Sequence, residues 1–587
     1  MRLINTSTLQ LEDFRGLPTP KYAILSHRWQ TPTEEVSYDD FNAERKRLAG
    51  GWFKIKDCCH MALLQDLQYC WIDTCCINKD SSAEESRSIN SMYAWYGRAT
   101  ETFVYLDDVH CSSLTTADST NELQNSRWFT RGWTLQELIA PTKVTFFNSR
   151  WESLGTKDEL CSLLEKITSI PEGVLCNKIS PHDCSIAQRM FWAADRETTE
   201  PEDQAYCLIG LFDVNMPLIY GEGDKAFVRL QEEIVQRSTD QTIFAWSDDQ
   251  LEKGILAPSP RCFKNKYGNA LRGVPDYFPD DPAGDSFRLG NAGLLIDFVL
   301  IPWAMNTYLA PLRCYASGPD GADPTQRLCL ILRRTKMDDR YVRIRLDDTD
   351  LVLHRYLRVP KDPNSSYWDR SALHRQILIA RSPLMIIKNC FYGFHFNFWS
   401  PMLFEAGSKP DPKDVVAEHT WDRNVAQLRA PHGSYRVAGI FRLSGQKLKG
   451  SIAFFGFDAD FNPFCLISSP PFDLLRSKLP LLNVKREIID PPDLGQMSGW
   501  ERTSWLDAMY LHKLIDEIVR VARKTPGDWN DNCVELGLLL GERTTTEQVF
   551  ELPKAKLRVI YKLVGSVPES HWRITFKDHP DMHWTVK

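Results

Sequence analysis

Short apolar runs alternate with amphipathic stretches along the first part of the chain. Four runs have the length and the aromatic or β-branched character of buried strands: YAILS at 22–26, YCWID at 69–73, TFVYL at 102–106 and KVTFF at 143–147. Helix-like segments lie between them, around residues 54–67, 83–98 and 131–139. Strands that alternate with helices are typical of a parallel sheet covered by helices on both faces. The pattern therefore predicts an α/β domain over residues 1–148.

The rest of the chain shows two different patterns. Residues 149–246 are mostly helical, since their apolar positions recur at helical spacing. Residues 247–587 contain many apolar runs of strand length separated by turn residues, and one amphipathic helix is predicted at 505–524. We therefore expect a helical extension after the α/β domain, followed by a β-rich (α+β) C-terminal region.

Composition narrows the class of protein. The 587 residues carry a formal net charge of −7, whereas a nucleic-acid-binding protein presents a basic face to the phosphates. The N-terminus lacks the apolar region of a signal peptide, and no run reaches the roughly 18 apolar residues of a membrane span. Sixteen cysteines at irregular spacing, without a CxxC pair, predict reduced thiols and no zinc site. We expect a cytoplasmic protein that binds neither nucleic acid, membrane nor metal.

Two motifs resemble catalytic elements without meeting their requirements. YGEGDKAF at 220–227 has a GxG before a helix, but the chain lacks the GxxxxGK[ST] of a phosphate loop, so a turn that leads into the helix is expected. His27 with Cys76 would form a nucleophile pair. Cys76, however, follows a strand among apolar neighbours, and nothing nearby in the sequence lowers its pKa. We therefore look elsewhere for the chemistry.

The segment RGWTLQEL at 131–138 places a tryptophan and a glutamate one helical turn apart. In a helix over 131–139 three apolar side chains cluster on one side: Leu135, Leu138 and Ile139. Trp133 and Glu137 fall together on nearly the opposite side. The pair is thus separate from the apolar stripe that would face the core.

Two interpretations of this pair are open. In the first, the indole of Trp133 shields Glu137 from water, raises the pKa of that carboxyl and offers an aromatic face to a planar ligand. In the second, both faces of the helix are buried and Glu137 pairs with an arginine, Arg127 or Arg131. The spacing alone favours neither.

Polar residues follow the carboxyl ends of two predicted strands. Ser26, His27 and Arg28 end or follow the first strand, and Asp73 ends the second. In open α/β sheets, ligands bind outside these strand ends. Asn78 lies in the polar loop after Asp73, where carboxylates and amides suit ribose hydroxyls; the serines and glutamates beyond it suit the start of a helix. These five side chains are the polar candidates for substrate binding.

Three blocks of the sequence, in this order, resemble the motifs of the fungal heterokaryon-incompatibility (HET) domain: YAILSHRW, YCWIDTCCINKDSSAEE and SRWFTRGWTLQELIAP. The resemblance covers about residues 20–148. It implies a role in the cell death that follows fusion of genetically unlike hyphae, with a protein trigger from the incompatible partner and assembly into a homo-oligomer. The C-terminal region, 247–587, would then be the sensor or regulatory part.

HET domains in turn resemble TIR domains, which have a flavodoxin-like sheet. YAILSHR is similar to a TIR strand that ends in serine and a basic residue, and WID to the end of the TIR second strand. WTLQEL is similar to a Trp-Cys-x-x-Glu-Leu element, with Thr134 where cysteine is common. The resemblance implies that Glu137 is the catalytic glutamate of an NAD hydrolase. Two departures concern the pocket: Trp29 stands where glycine is usual, and the loop after Asp73 contains cysteines.

The same resemblance suggests roles for the other candidates. Trp133 or Trp71 would stack on a ring of the dinucleotide, and Ser26 and Arg28 would meet its ribose or a phosphate. NAD would be a substrate, so no cofactor is expected. The alternative function is a signalling module without enzymatic activity, which triggers cell death through protein–protein assembly.

Overall fold

The computed structural model describes residues 1–248, 254–265, 267–273, 287–304 and 307–318, and beyond residue 320 the strands given below. The chain divides into two compact units. The first comprises Met1–Pro279 with Leu312–Leu328, and the second comprises Asp280–Pro311 with Cys329–Lys587. Within the described part of the chain, none of the helices combines the length and the apolar character of a membrane-spanning helix.

A seven-stranded sheet forms the centre of the first unit. Its strands are β1 (Arg2–Asn5), β2 (Leu11–Asp13), β3 (Ala23–His27), β4 (Tyr69–Trp71), β5 (Glu101–Tyr105), β6 (Val144–Phe147) and β7 (Ser153–Thr156). They lie in the order β2-β1-β4-β3-β5-β6-β7. The central strands β4, β3, β5 and β6 are parallel, and the outer pairs are antiparallel. The connections therefore reverse direction between β3 and β5, and this reversal is where α/β sheets bind ligands.

Helices connect the strands of this sheet and continue beyond it. In chain order they are α1 (Tyr38–Asn42), α2 (Gly50–Leu63), α3 (Asp73–Cys76), α4 (Ser82–Arg98), α5 (Ala117–Gln124), α6 (Thr134–Ile139), α7 (Cys161–Thr168), α8 (Glu172–Leu175), α9 (Ile186–Ala193), α10 (Asp203–Tyr206) and α11 (Lys225–Val235). Right-handed crossovers place α2 on one face of the sheet and α4 and α6 on the other. With both faces covered, β3 is buried along its whole length.

The predicted α/β organisation of the N-terminal part is confirmed. Each of the four predicted strands overlaps an observed one, β3 to β6, with ends that differ by one or two residues. Strands β1, β2 and β7 were not predicted; they are only three or four residues long and partly exposed, so they lack the continuous apolar run that marks a buried strand. The helical pattern predicted for 149–246 corresponds to α7–α11.

The described residues after α11 are mainly strands. They are β8 (Leu271–Gly273), β9 (Phe287–Leu289), β10 (Gly293–Ala304), β11 (Thr307–Pro311), β12 (Cys314–Gly318), β13 (Gly321–Ala322), β14 (Gln326–Arg334), β15 (Arg340–Leu346), β16 (Leu351–Arg355), β17 (Leu373–Ala380), β18 (Met385–Ile387), β19 (Gly393–Asn397), β20 (Val415–Val416), β21 (Trp421–Asp422), β22 (Gln427–Arg429), β23 (Gly439–Leu443), β24 (Ser451–Phe457), β25 (Pro463–Ser468), β26 (Glu535–Leu538), β27 (Thr545–Leu552), β28 (Ala555–Val564) and β29 (His571–Asp578). The helix predicted at 505–524 lies outside the described residues.

These later strands form four sheets. A small one has the order β13-β12-β8, and the largest has the order β16-β14-β11-β10-β17-β15-β18, with β9 paired to β10. The other two have the orders β21-β22-β19-β29-β28-β27 and β20-β23-β24-β25-β26. Most neighbouring strands are antiparallel, as the turn-punctuated apolar runs predict.

Candidate functional site

The carboxyl ends of β3 and β4 bring most of the predicted site residues together. Ser26 and His27 are the last two residues of β3, and Asp73 follows β4 as the first residue of α3. Successive residues of a strand point to opposite faces of the sheet. Ser26 accordingly contacts α6 on one face, while His27 points towards α2 on the other. The site therefore has two compartments, one on each side of the strand end.

Glu137 occupies the first compartment. Its side chain is buried, with the residue 6% exposed, and its Oε2 accepts a hydrogen bond of 2.5 Å from the hydroxyl of Ser26. The indole of Trp128 donates in turn to the Ser26 Oγ at 2.9 Å. Burial and the negative charge of Asp73 raise the pKa of Glu137 to about 8, and hydrogen bonding by Ser26 offsets only part of this. The carboxyl is therefore mostly protonated at neutral pH.

Helix α6 differs from its prediction in where it begins. The predicted helix over 131–139 starts at Thr134, because Gly132 is engaged by a later segment: its N–H donates to the carbonyl of Glu197 at 2.9 Å. A Cβ at Gly132 would lie 2.5 Å from the Cγ2 of Thr198, so only glycine allows this approach. The segment before α6 is thus fixed by residues that follow the α/β domain in sequence.

The structure agrees with the second interpretation of the tryptophan–glutamate pair on burial but not on the partner of Glu137. Both faces of α6 are buried, as the second interpretation expected. The arginines, however, are paired elsewhere: Arg127 with Asp108 at 3.2 Å, and Arg131 with Thr199 at 3.2 Å. Glu137 takes its hydrogen bond from the serine of β3 instead. Its direct partner is a neutral hydroxyl rather than a cation, so the rise in its pKa caused by burial and by Asp73 is only partly offset.

Trp133 is half-buried and held by its polar edge. Its indole N–H donates to Oδ2 of Asp203 at 3.0 Å, and the hydroxyl of Tyr220 donates to Oδ1 of the same carboxylate at 3.1 Å. Burial raises the pKa of Asp203, and these two hydrogen bonds oppose the rise. Trp133 therefore connects the start of α6 to α10 and to the YGEG turn.

His27 occupies the second compartment and is neutral. Its Nε2 lies 3.8 Å from Asp73 Oδ1 and 4.0 Å from Glu35 Oε1, and it has no hydrogen-bond partner. Glu35 pairs with the buried Lys54 at 2.8 Å. Burial, with a smaller contribution from the positive charge of Lys54, lowers the pKa of His27 to about 4 against the attraction of Asp73 and Glu35.

Arg28 and Trp29 lie at the outer edge of the second compartment. Arg28 forms an ion pair with Asp107, with Nη2 2.6 Å from Oδ2. Trp29 is 48% exposed; its indole N–H donates to Asp73 Oδ2 at 2.7 Å, and the ammonium of Lys79 lies 3.3 Å from its ring centroid. Arg28 is thus committed to an ion pair, whereas Trp29 presents a ring face at the surface.

Two predicted substrate-binding residues serve the fold instead. Trp71 is fully buried and packs edge-on against Trp95 and Tyr96, with centroids 5.6 and 5.9 Å apart. No face of its ring is open to a ligand, because helices cover both sides of the sheet. The side-chain oxygen of Asn78 accepts from the N–H of Asp80 at 3.0 Å, which stabilises the turn before α4.

Sequence reasoning missed Arg196, which is buried next to α6. Its Nη1 donates to the carbonyl of Arg131 and to Oγ1 of Thr134, both at 2.9 Å. Its positive charge favours the ionised form of Glu137 without contacting it directly. No local spacing marks this arginine, since the contact joins segments more than 60 residues apart. A cavity of about 270 Å³ opens beside it, lined by Arg196 and Arg261 among others and not by Glu137.

The cysteines supply no nucleophile at this site. Cys75 and Cys76 are buried, and burial raises the pKa of the Cys75 thiol well above its usual range. Cys161 and Cys176 form a disulfide, so the expectation that all cysteines are reduced is wrong for this pair.

Comparison with known proteins identifies the N-terminal part. A family model for the heterokaryon incompatibility protein (HET) matches residues 22–122, and one for a domain of unknown function (DUF8212) matches 225–272. The vegetative incompatibility protein HET-E-1 of Podospora anserina is 42% identical over 246 residues, which is 40% of this chain and 18% of the relative. The chain thus spans less than a fifth of that protein.

No solved structure matches the chain, and Glu137 lies beyond the residues that the HET family model matches. The three sequence blocks, the family match and the similarity to HET-E-1 nevertheless agree. Residues 22–122 of this chain thus match the heterokaryon-incompatibility (HET) family, and 246 of its residues are similar to a vegetative incompatibility protein.

Proposed function

We propose that this protein acts in a cell-death response of the heterokaryon-incompatibility type, and that its HET domain hydrolyses NAD at the nicotinamide–ribose bond with Glu137 as the catalytic carboxylate. The first part is supported by the HET match and by the relative, whose name describes it as a vegetative incompatibility protein. The second part rests chiefly on one observation: a buried carboxyl with a raised pKa lies beside the carboxyl end of β3. Strongly perturbed carboxyls at such strand ends are candidates for catalysis.

The sheet order adds support for the resemblance to TIR domains. The parallel strands are β3, β4, β5 and β6 in the order of the sequence, and they count here as strands 1 to 4. Across the sheet they lie in the order 2-1-3-4, which is the beginning of the flavodoxin-like order. Ser26 is the second-last residue of the first parallel strand and Asp73 follows the second, in keeping with the motif comparison. Glu137 lies on the helix before the fourth.

The reaction suits a carboxylate that carries negative charge when the bond breaks. Cleavage of the nicotinamide–ribose bond develops positive charge on the ribose carbon, as in glycoside hydrolysis, and a carboxylate stabilises that charge. Nicotinamide leaves as a neutral molecule, so no general acid is required. Ser26 orients the carboxyl and, by donating to it, stabilises its ionised form.

Ionisation of Glu137 would be coupled to substrate binding. In the free protein the carboxyl is held neutral by burial and by the charge of Asp73. The nicotinamide ring of oxidised NAD is positively charged, and a positive charge nearby favours the carboxylate. The substrate would therefore generate the ionised group that its own cleavage requires.

The remaining parts of the proposal concern the whole protein. We propose that residues 247–587 form the sensor or regulatory part, that the chain assembles into a homo-oligomer when a protein from an incompatible partner triggers it, and that it acts in the cytoplasm. A toxic activity must be held silent until it is triggered, and the domain order fits such an arrangement.

Nicotinamide release by the purified full chain tests the enzymatic part. The parent protein is expected to release nicotinamide from NAD, and Glu137→Gln to lower the rate by about 100-fold or more. Glu44→Gln is the control, because Glu44 is exposed and its ion pair is with Arg47 at the surface; it should leave the rate unchanged. Equal release by the parent and Glu137→Gln would exclude Glu137 as the catalytic group.

One observation favours the second candidate function, a signalling module without catalysis. Glu137 is almost fully enclosed and hydrogen-bonded within the fold, as a structural residue would be. Under this alternative, Glu137→Gln would fold normally and kill cells as well as the parent does. A cell-death assay with Glu137→Gln beside Glu44→Gln separates the two functions, since the enzymatic proposal expects only the first variant to lose killing.

A further inference from the structure

Trp29 is unusually exposed for a tryptophan that lies beside a buried site. Almost half of the residue is exposed, yet the ring is not free to turn, since its N–H is held by Asp73 Oδ2 at 2.7 Å. A rigid aromatic ring with an open face is a typical element of ligand recognition. Its position, two residues after His27 at the end of β3, puts it at the rim of the candidate site.

The face of Trp29 already holds a cation. The ammonium of Lys79 lies 3.3 Å from the ring centroid, within the range in which the negative face of an indole attracts positive charge. Lys79 is exposed and makes no salt bridge with a carboxylate among the described residues. The ring, rather than a salt bridge, therefore fixes this ammonium group.

The surroundings of Lys79 are acidic. Four carboxylates act electrostatically on its ammonium, those of Asp73, Glu85, Asp203 and Glu35. A positively charged ligand that replaced Lys79 on the ring would meet the same four carboxylates, whereas a neutral ligand of the same shape would gain nothing from them. The ring face of Trp29, with these carboxylates around it, thus distinguishes ligands by their charge.

Two polar atoms of the residues near Trp29 have no hydrogen-bond partner. They are Asp73 Oδ1 and His27 Nε2, which lie 3.8 Å apart and are both buried. The side chain of His27 is only 1% exposed, and an unpaired buried polar group costs free energy. A carboxamide both donates and accepts hydrogen bonds, so an amide substituent on a bound ring would satisfy such a pair.

We infer that the ring face of Trp29 that Lys79 covers in the free protein binds the positively charged nicotinamide ring of NAD, and that this ring displaces the ammonium of Lys79. The inference rests on the proposed function for the identity of the ligand. One cation replaces another, so the ring face loses no favourable interaction in the exchange. The released ammonium is then available to pair with the pyrophosphate of the same molecule.

Binding of 1-methylnicotinamide, which is cationic, is compared with binding of nicotinamide, which is neutral. Calorimetry on the full chain is expected to show the cation binding about tenfold tighter. Trp29→Leu should remove this preference, and Lys79→Met should tighten binding of the cation severalfold because it removes the competing ammonium. Phe53→Leu is the control, since Phe53 on α2 is similarly exposed, at 50%.

Several outcomes would overturn the inference. They are equal affinities for the two probes in the parent protein, a preference that survives in Trp29→Leu, and unchanged binding in Lys79→Met. If Trp29→Leu does not fold, Lys79→Met decides the question alone. The test is separate from that of catalysis, because Glu137→Gln should lose nicotinamide release and still prefer the cation.

Discussion

Glu137 and His27 lie on opposite faces of the end of one strand, and burial acts on them in opposite directions. The pKa of Glu137 rises to about 8, and that of His27 falls to about 4. Both shifts have the same main cause, the cost of a charge in a buried environment. Each group is therefore mostly neutral near pH 7, although one is an acid and the other a base.

The two compartments differ in whether they stabilise the charged form of the titratable group that each contains. The hydroxyl of Ser26 donates to Glu137 and so supports a carboxylate. No acceptor lies within hydrogen-bond distance of His27 Nε2 to support an imidazolium, and Lys54 opposes it. Glu137 can therefore gain or lose its proton near neutral pH, whereas His27 stays neutral there and is held by packing. Environments that separate the pKa values of neighbouring groups in this way are common in active sites.

Replacing Glu137 with glutamine should produce the largest change in stability. Between about pH 4.5 and pH 8 an unfolded glutamate is ionised while the folded one is protonated, so the stability of the parent falls as pH rises through this range. Glu137→Gln removes this loss and still offers an oxygen to Ser26. The free energy of unfolding of Glu137→Gln relative to the parent should increase by about 4 kcal/mol between pH 5 and pH 9, measured by urea unfolding.

Glu44→Gln, at the surface, is the control for this measurement and should show no such pH dependence. A variant Glu137→Gln that tracks the parent at every pH would mean that the carboxyl is not buried in the uncharged form. The compartment would then differ from the description given above.

Replacing His27 should produce a smaller change at the opposite end of the pH scale. An unfolded histidine takes up a proton as pH falls below about 6.5, whereas the folded His27 resists it down to about pH 4, so the parent loses stability on acidification. His27→Gln should lose about 2 kcal/mol less than the parent between pH 7 and pH 4.5. His60→Gln is a control on the exposed face of α2. Equal acid sensitivity of His27→Gln and the parent would contradict a neutral, buried imidazole.

Replacing Ser26 should have the smallest effect on activity, a shift in its pH dependence. Ser26→Ala removes a donor that favours the carboxylate, so the pKa of Glu137 should rise further. The midpoint of the pH dependence of nicotinamide release should move up by roughly half to one pH unit. His27→Gln is the matched comparison and should leave that midpoint in place. A shift in His27→Gln but not in Ser26→Ala would reverse the roles of the two compartments.

The sequence predicted the elements that are buried on both sides. The runs at β3 to β6 are continuous and apolar because helices cover both faces of the sheet, and this pattern is readable without a structure. Strands β1, β2 and β7 are short and partly exposed, so their sequences carry no comparable pattern. Trp71 shows the limit of sequence comparison: the resemblance suggested that it stacks on a dinucleotide ring, but the sequence does not show that the helices enclose it.

The sequence predicted which residues form the candidate site but not which of them contact one another. Ser26 and Asp73 were expected at strand ends, and Glu137 was singled out by its motif. The hydrogen bond between Ser26 and Glu137 spans 111 residues of sequence, and no helical or strand periodicity encodes a contact of that range. The late start of α6 has the same origin, since Glu197 engages Gly132 from a segment that lies about 65 residues further along.

The most direct test of the central claim is the pH profile of nicotinamide release from NAD by the full chain and by Glu137→Gln. For the parent, kcat/KM should rise with pH and level off above a midpoint near 8, because the free protein must lose the proton of Glu137. Glu137→Gln should be about 100-fold slower and show no such midpoint. A parent that releases no nicotinamide, or a profile that is the same in both proteins, would contradict the assignment of Glu137 as the catalytic carboxylate.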